Sequence, residues 1–154
     1  KKKIYLNNKA LSNSNKISTF YENEVLSQSS LHNKKNKFNS NLKNTSRYKI
    51  KCTTLDTYYY SQNKKSIIDL IKIDTEGEDL NVLKGSKKLL KNKKIKLIKI
   101  ELLNSFFGSK KKSNINEIIL FLNKYNYHII TVTKTKFVNE KLLMMDVYFS
   151  QNKL

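Results

Sequence analysis

The stretch Ile67-Ile68-Asp69-Leu70-Ile71-Lys72-Ile73 is apolar almost throughout, runs into Asp74-Thr75-Glu76-Gly77, and is followed at once by a helical pattern. A strand from Asp69 to Asp74, apolar on both faces except for Lys72, is predicted to be buried on both sides in the middle of a parallel sheet. Helical periodicity from about Glu78 to Lys91 places Leu80, Leu83 and Leu90 on one side. The acids Glu78 and Asp79 stand in its first turn and lysines in its last, which complements the helix dipole. Gly85 inside that pattern costs helix stability, so close packing against the sheet is the expected reason for it. Gly77 predicts a turn that needs a positive φ.

The sequence continues as a strand over Ile95 to Glu101 and a helix after Asn114, with Glu117 three residues on as in a capping box. Ile118, Leu122 and Tyr125 follow at helical spacing. Tyr127 to Val132 and Met145 to Phe149 are strand-like and pair antiparallel across a Lys134–Lys141 loop. Strand, helix, strand, helix and two strands predict an α/β fold, a mostly parallel sheet with a C-terminal antiparallel hairpin. Before Ile67 the pattern is weaker. Ile4-Tyr5-Leu6, with Ala10-Leu11 beyond it, and Ile17 to Tyr21 predict two strands joined as a hairpin through Asn13-Ser14-Asn15. Residues 22–46 form a long polar loop or insertion, Ile50 to Thr54 a returning strand, and Leu55 to Tyr60 a short helix.

At 154 residues the chain has the length of a single domain. Its 31 Lys and Arg against 12 Asp and Glu give a formal net charge of +19, which invites a polyanion partner. Arg47 is the only arginine, however, whereas readers of phosphate and guanine favour arginine's bidentate fork. Abundant Lys, Asn, Ile and Tyr without proline point instead to AT-rich codon usage, and no specific nucleic-acid partner is expected. One cysteine, Cys52, and two distant histidines, His32 and His128, give no disulfide and no metal-site spacing. With no signal peptide and no apolar run long enough to span a bilayer, a cytoplasmic location is expected. The chain does not begin with Met, as expected of a processed product or fragment.

Ligands of open α/β sheets sit beyond the carboxyl ends of the strands. Asp74 therefore stands where a carboxylate orients an acceptor hydroxyl or takes its proton; the structural alternative is a helix-capping Asp. Lys72, from the same strand, is the cation expected beside it. Glu101 ends the neighbouring strand and faces Asp74 across the top of the sheet, and Glu76 belongs to the same turn. Ser29-Ser30-Leu31 is a hydroxyl-bearing piece of loop, Tyr58-Tyr59-Tyr60 is expected to pack against the sheet, and His128 to sit in the core.

An ordered set of segments resembles the FkbM family of methyltransferases. Asn8-Lys9-Ala10-Leu11-Ser12 is similar to the family's Ala-Leu-Ser segment, Ser29-Ser30-Leu31 to its Ser-Leu pair, and Thr54-Leu55-Asp56 to its Thr-Leu-Asp. Leu70-Ile71-Lys72-Ile73-Asp74-Thr75-Glu76-Gly77 is similar to its Lys-Ile-Asp-Val-Glu-Gly hallmark, which Val82-Leu83-Lys84-Gly85 continues in register. The resemblance implies a partial Rossmann-like class I fold that uses S-adenosylmethionine (SAM) to methylate a hydroxyl of a sugar, glycan or natural product. It implies Asp74, Glu76 and Glu101 as catalytic residues and Asn8, Ala10 and Leu11 near the adenine; no metal ligand is assigned, although carboxylates on adjacent strand ends such as Asp74 and Glu101 suit either a general base or a shared divalent ion. The glycine-rich loop and ribose-binding acid of such folds have no counterpart among Gly77, Gly85 and Gly108, so the chain corresponds to the C-terminal part of the domain. Three alternatives stand beside it. Asp74-Thr75-Glu76 also mimics the acidic metal motif of sugar-nucleotide glycosyltransferases; the lysines allow a basic polyanion-binding module; and an inactive remnant can serve as an interaction domain.

Overall fold

In a computed structural model, which describes residues 3–23, 29–31, 44–63, 66–103 and 115–151, two sheets share one apolar core. The elements in chain order are β1 (Ala10–Leu11), β2 (Lys16–Asn23), β3 (Asn44–Thr53), α1 (Leu55–Ser61), β4 (Ile68–Ile73), α2 (Asp79–Lys84), α3 (Lys87–Lys91), β5 (Ile95–Leu103), α4 (Ile115–Asn123), β6 (His128–Val138) and β7 (Lys141–Ser150). The larger sheet has the order β4-β5-β7-β6 and the smaller β1-β3-β2.

The α2–α3 crossover makes β4 and β5 parallel, with Ile73 beside Ile100. β6 is joined to β7 by a turn at Asn139-Glu140, both at positive φ (48° and 61°), the backbone twist of a tight hairpin. The Lys134–Lys141 loop is thus a correction: the strands run on through those lysines and the connection shrinks to the turn. β7 lies between β5 and β6 and is antiparallel to both. The expected mostly parallel sheet does not fit. β1 with β3 and β4 with β5 are parallel, whereas β2 with β3, β5 with β7 and β6 with β7 are antiparallel. The hairpin expected at the C-terminal end is present, and its insertion beside β5 is what makes the sheet mixed.

From β4 to β5 and from β5 to β6 the chain steps the same way across the sheet, so right-handed crossovers bring their helices to one face. Ile73, Ile98, Ile100, Val147 and Phe149 are buried there with Val82 and Leu83 of α2, Leu89 and Leu90 of α3, and Ile118 and Leu122 of α4. Tyr127 closes the cluster, and its hydroxyl donates to the Ile95 carbonyl at 2.5 Å. The opposite face carries Lys72, Lys99, Glu101, Asp146 and Tyr148 in register, and Leu70 is 51% exposed. A β4 buried on both faces is therefore corrected: it is the edge strand of its sheet, packed on one face.

The single helix expected from Glu78 to Lys91 is two. α2 ends at Gly85 and α3 starts from Ser86. A Cβ on Gly85 would lie 2.2 Å from the Ser12 carbonyl oxygen, so the close contact is with the segment after β1. The second half gains its own cap from α1: Asp56 accepts from the Lys88 and Leu89 amides at 2.8 and 2.9 Å. Thr54 caps α1 by accepting from the Thr57 amide at 2.9 Å. The Thr-Leu-Asp segment thus holds two helix ends.

In the smaller sheet, Ile4-Tyr5-Leu6 is not a strand and is well exposed. β1 and β2 do not form a hairpin either. Both flank β3, which pairs Ala10 with Cys52 in parallel and Lys16 with the same Cys52 in antiparallel. Asn13-Ser14-Asn15 carries the chain across the end of β3, and Asn15 Oδ1 accepts there from Thr53 Oγ1 (2.9 Å) and the Thr54 amide (3.2 Å). Of the polar loop expected over 22–46, β2 takes the residues up to Asn23 and β3 those from Asn44, and Ser30 bridges back to Tyr21. The rest of that loop, His32 and Asn114 lie outside the described residues. His128 is half-buried at the start of β6 rather than in the core.

Candidate active site

β4 delivers the chain at Asp74, and the backbone reverses through Glu76 (φ 54°) and Gly77 (φ 116°), both left-handed. Gly77 thus has the positive φ expected of it. The turn is fixed from within. Asp79 accepts from Thr75 Oγ1 at 2.7 Å and from the Thr75 amide at 3.3 Å. Glu78 makes no side-chain cap for α2; it accepts from Ser12 Oγ at 3.1 Å and Asn81 Nδ2 at 3.2 Å. Ser12 is fully buried, and its amide donates to the Thr53 carbonyl at 2.9 Å. One carboxylate therefore ties the end of β1 to the turn after β4. Asp79, and not Asp74, holds the turn, and α2 carries no side-chain cap at its start.

Asp74 keeps its side chain for solvent and for Lys72, whose Nζ lies 2.8 Å from its Oδ2. That contact raises the Lys72 pKa, so the lysine is a firm cation. The neighbouring space is a cleft of about 290 Å³. Ala10 and Leu11 of β1, Phe20 of β2 and Leu31 give it apolar walls, while Asp74, Thr75 and Glu78 make its acidic end. Lys9, Ser29 and Ser30 complete the lining, with Ser30 buried and bonded through its backbone to Tyr21 (2.9 and 3.1 Å).

Of the residues expected in a site, Ala10, Leu11 and Asp74 share this cleft. Asn8, Glu76 and Glu101 are not part of its lining. Asn8 is exposed, and the adjoining Asn7 donates to the Tyr58 hydroxyl at 2.9 Å, which takes that segment toward α1. Glu76 is half-buried in the left-handed part of the turn. Glu101 follows Ile100, which pairs with Ile73, so it sits beside Asp74 on the open sheet face. Burial raises its carboxyl pKa, and the charges of Asp74 and Asp146 add to the effect. The tyrosines serve packing: Tyr59 is buried, and Tyr60 lies under Lys88, whose Nζ is 4.2 Å from the ring centre.

Ser29-Ser30-Leu31, the hydroxyl-bearing piece singled out in the sequence, lines the cleft as well. One feature escaped the sequence. Asp146 pairs with Glu101 in the β5–β7 ladder, is fully buried, and has Lys99 Nζ 2.7 Å from its Oδ2. That contact raises the Lys99 pKa. The only available signal for Asp146 was an acid inside the apolar run Leu142 to Phe149. Among the described residues, no group of three or more His, Cys, Asp or Glu is placed to hold a metal ion. No described helix is long and apolar enough to cross a membrane.

The model of the methyltransferase FkbM domain matches residues 1–129. The chain belongs to the FkbM methyltransferase family. No curated protein and no solved structure matches it. The FkbM match takes in the whole cleft, from Lys9 to Glu78, together with Glu101; it stops before Asp146. The FkbM Asp-x-Glu-Gly hallmark thus coincides with the turn whose internal hydrogen bonds leave Asp74 facing the cleft.

The acids of this FkbM turn carry a pH signature. Burial raises the Asp79 pKa, and the bonds from Thr75 only partly offset it. A carboxyl whose folded pKa exceeds its unfolded value binds more protons in the native state, so its contribution falls as pH rises through that window. Asp79→Asn retains an oxygen to accept from Thr75 and removes the buried charge. Its urea midpoint should match the parent below the ordinary carboxylate range of about pH 4 and gain on it above. A difference that stayed flat with pH would show that burial is not what perturbs Asp79.

Proposed function

We propose that this chain, as the C-terminal part of a methyltransferase domain, serves SAM-dependent O-methylation of a hydroxyl on a sugar, glycan or natural product. The observation that carries this is the meeting of Ala10 and Leu11 with Asp74 in one cleft. SAM, when bound, supplies a methyl group already activated on a sulfonium. The protein then has to align the acceptor oxygen and take its proton.

The apolar walls fit the adenine: Ala10 and Leu11 would hold it, with Asn8 just outside the lining. Asp74 orients the acceptor hydroxyl and takes its proton, and Lys72 keeps the carboxylate in place. Glu101, beside Asp74 with its carboxyl pushed up, is suited to receive that proton from Asp74 in turn. Glu76 shapes the turn and adds negative charge near the Asp79 and Glu101 carboxyls. The acceptor is the partner this cleft requires, and a cytoplasmic setting suits a chain with one cysteine.

Calorimetry with S-adenosylhomocysteine on the natively expressed protein that carries this domain tests the proposal. Saturable binding at one site is expected; a flat thermogram would reject SAM dependence.

A further inference from the structure

Asp146 is a fully buried carboxylate with no part in the methyl transfer proposed for Asp74 and Glu101. It stands on β7, on the open face of the larger sheet, directly opposite Glu101 of β5 and Thr133 of β6. Lys99 Nζ lies 2.7 Å from its Oδ2, and Lys134 Nζ lies 3.8 Å from the same oxygen. These two cations supply its counter-charge. Among the described residues no hydrogen bond reaches Oδ1, not even from Thr133 across the ladder. A carboxylate oxygen can only accept, so one buried without a donor is costly and has to be explained by what it receives.

Glu101 is the group placed to supply that donor. Residues directly opposite in an antiparallel ladder have their Cβ atoms roughly 4.5–5.5 Å apart, a gap that an Asp and a Glu side chain close together. Lys99 stands two residues before Glu101 on the same face of β5, and its contact with Asp146 keeps Asp146 on that face. As two carboxylates the pair would repel, since like charges directly opposite destabilise a sheet. One proton on Glu101 removes the repulsion and gives Oδ1 its donor. Glu101 is the member that takes it: it is half-buried beside Asp74, whereas Asp146 is sealed and already paired with Lys99. The surrounding charges favour this. Burial, then the charges of Asp74, Asp146 and Glu76, outweigh Lys72 and raise the Glu101 pKa. Lys99 and Lys134 are directed to Asp146, and Tyr148 lies under Lys99, whose Nζ is 5.6 Å from the ring centre.

We infer that Asp146 is a positioning residue of the proton path, its Oδ1 holding protonated Glu101 by accepting a hydrogen bond from the Glu101 carboxyl. In methyl transfer the acceptor oxygen bonds the methyl carbon while the sulfonium sulfur keeps the electron pair of the broken bond. The hydroxyl proton passes to Asp74 and then to Glu101, which returns it to solvent. That role rests on the methyl-transfer proposal; the carboxyl pair itself does not.

An NMR titration of the side-chain carboxyls in the natively expressed protein, with no methyl donor present, tests the pair. Glu101→Gln assigns the Glu101 signal. Asp146→Asn should move the Glu101 midpoint down by about one pH unit, the scale of one neighbouring charge. Asp69→Asn, an equal change at an exposed position at the other end of β4, should leave the midpoint where it is. Crystals of the parent protein grown below the Glu101 midpoint test the same contact without any substitution. They should show a Glu101 carboxyl oxygen about 2.5–2.7 Å from Asp146 Oδ1. A midpoint indifferent to Asp146→Asn, or moved equally by Asp69→Asn, would overturn the pair, as would a Glu101 turned away from Asp146 in the acidic crystal. Silence with S-adenosylhomocysteine would instead reject the methyl-transfer proposal and leave the pair standing, so the two failures are told apart.

Discussion

Asp74→Asn should lower the methyl-transfer turnover by about a hundred- to ten-thousandfold, the range for losing a positioned proton acceptor. The substitution keeps the shape of the side chain and a carbonyl oxygen, but the amide cannot take a proton. Its structural cost should be small. The ion pair with Lys72 is partly exposed on both sides, and such pairs contribute little. The hydrogen bonds that build the turn belong to Thr75, Glu78 and Asp79. The variant should therefore bind S-adenosylhomocysteine as the parent does and fail in the chemical step. Single-turnover kinetics beside calorimetry separates the two. A turnover within about threefold of the parent, too small a change for a lost proton acceptor, would remove Asp74 from the mechanism.

Gly85→Ala should destabilise the fold by about 3 kcal/mol, the upper end of the overpacking range. The added methyl would meet the Ser12 carbonyl oxygen, 2.2 Å from the ideal Cβ position, and the Thr54 side chain at 3.2 Å. A backbone carbonyl cannot swing away as a side-chain tip can. Ser12 is also held by its amide bond to Thr53 and its hydroxyl bond to Glu78, so relief at Gly85 pulls on β1 and on the Asp74 turn together. Conformation is not the reason for the glycine, since its φ of −80° suits any residue. Urea unfolding should show a lower midpoint with an unchanged slope. A loss below about 0.5 kcal/mol, typical of indifferent surface positions, would show that the segments can part freely.

The same contact explains where the sequence could and could not be read. β4, β5, α1 and the terminal strand pair were legible because each is a local pattern of apolar residues closed by its own turn or cap. The turn after β4 was legible for the same reason: Gly77 requires its positive φ locally, and Asp74 follows from the strand's end. The break between α2 and α3 was not, because helical periodicity runs unbroken through Gly85 and only the arrival of Ser12 divides it. The smaller sheet was misread because β1 and β2 choose the distant β3 over each other. Asp146 looked like one more strand residue, since alternation assigns a face but not the Glu101 and Lys99 that stand there. Asp56 belonged to a segment noted for its resemblance, yet its role as the cap of α3 rests on a contact across the fold.

The most direct measurement is a crystal structure of the natively expressed protein with S-adenosylhomocysteine bound. The account predicts the adenine against Ala10 and Leu11 and the sulfur directed toward the Asp74 end of the cleft. The nucleoside bound away from that cleft, for instance along the β6–β7 hairpin, would contradict it.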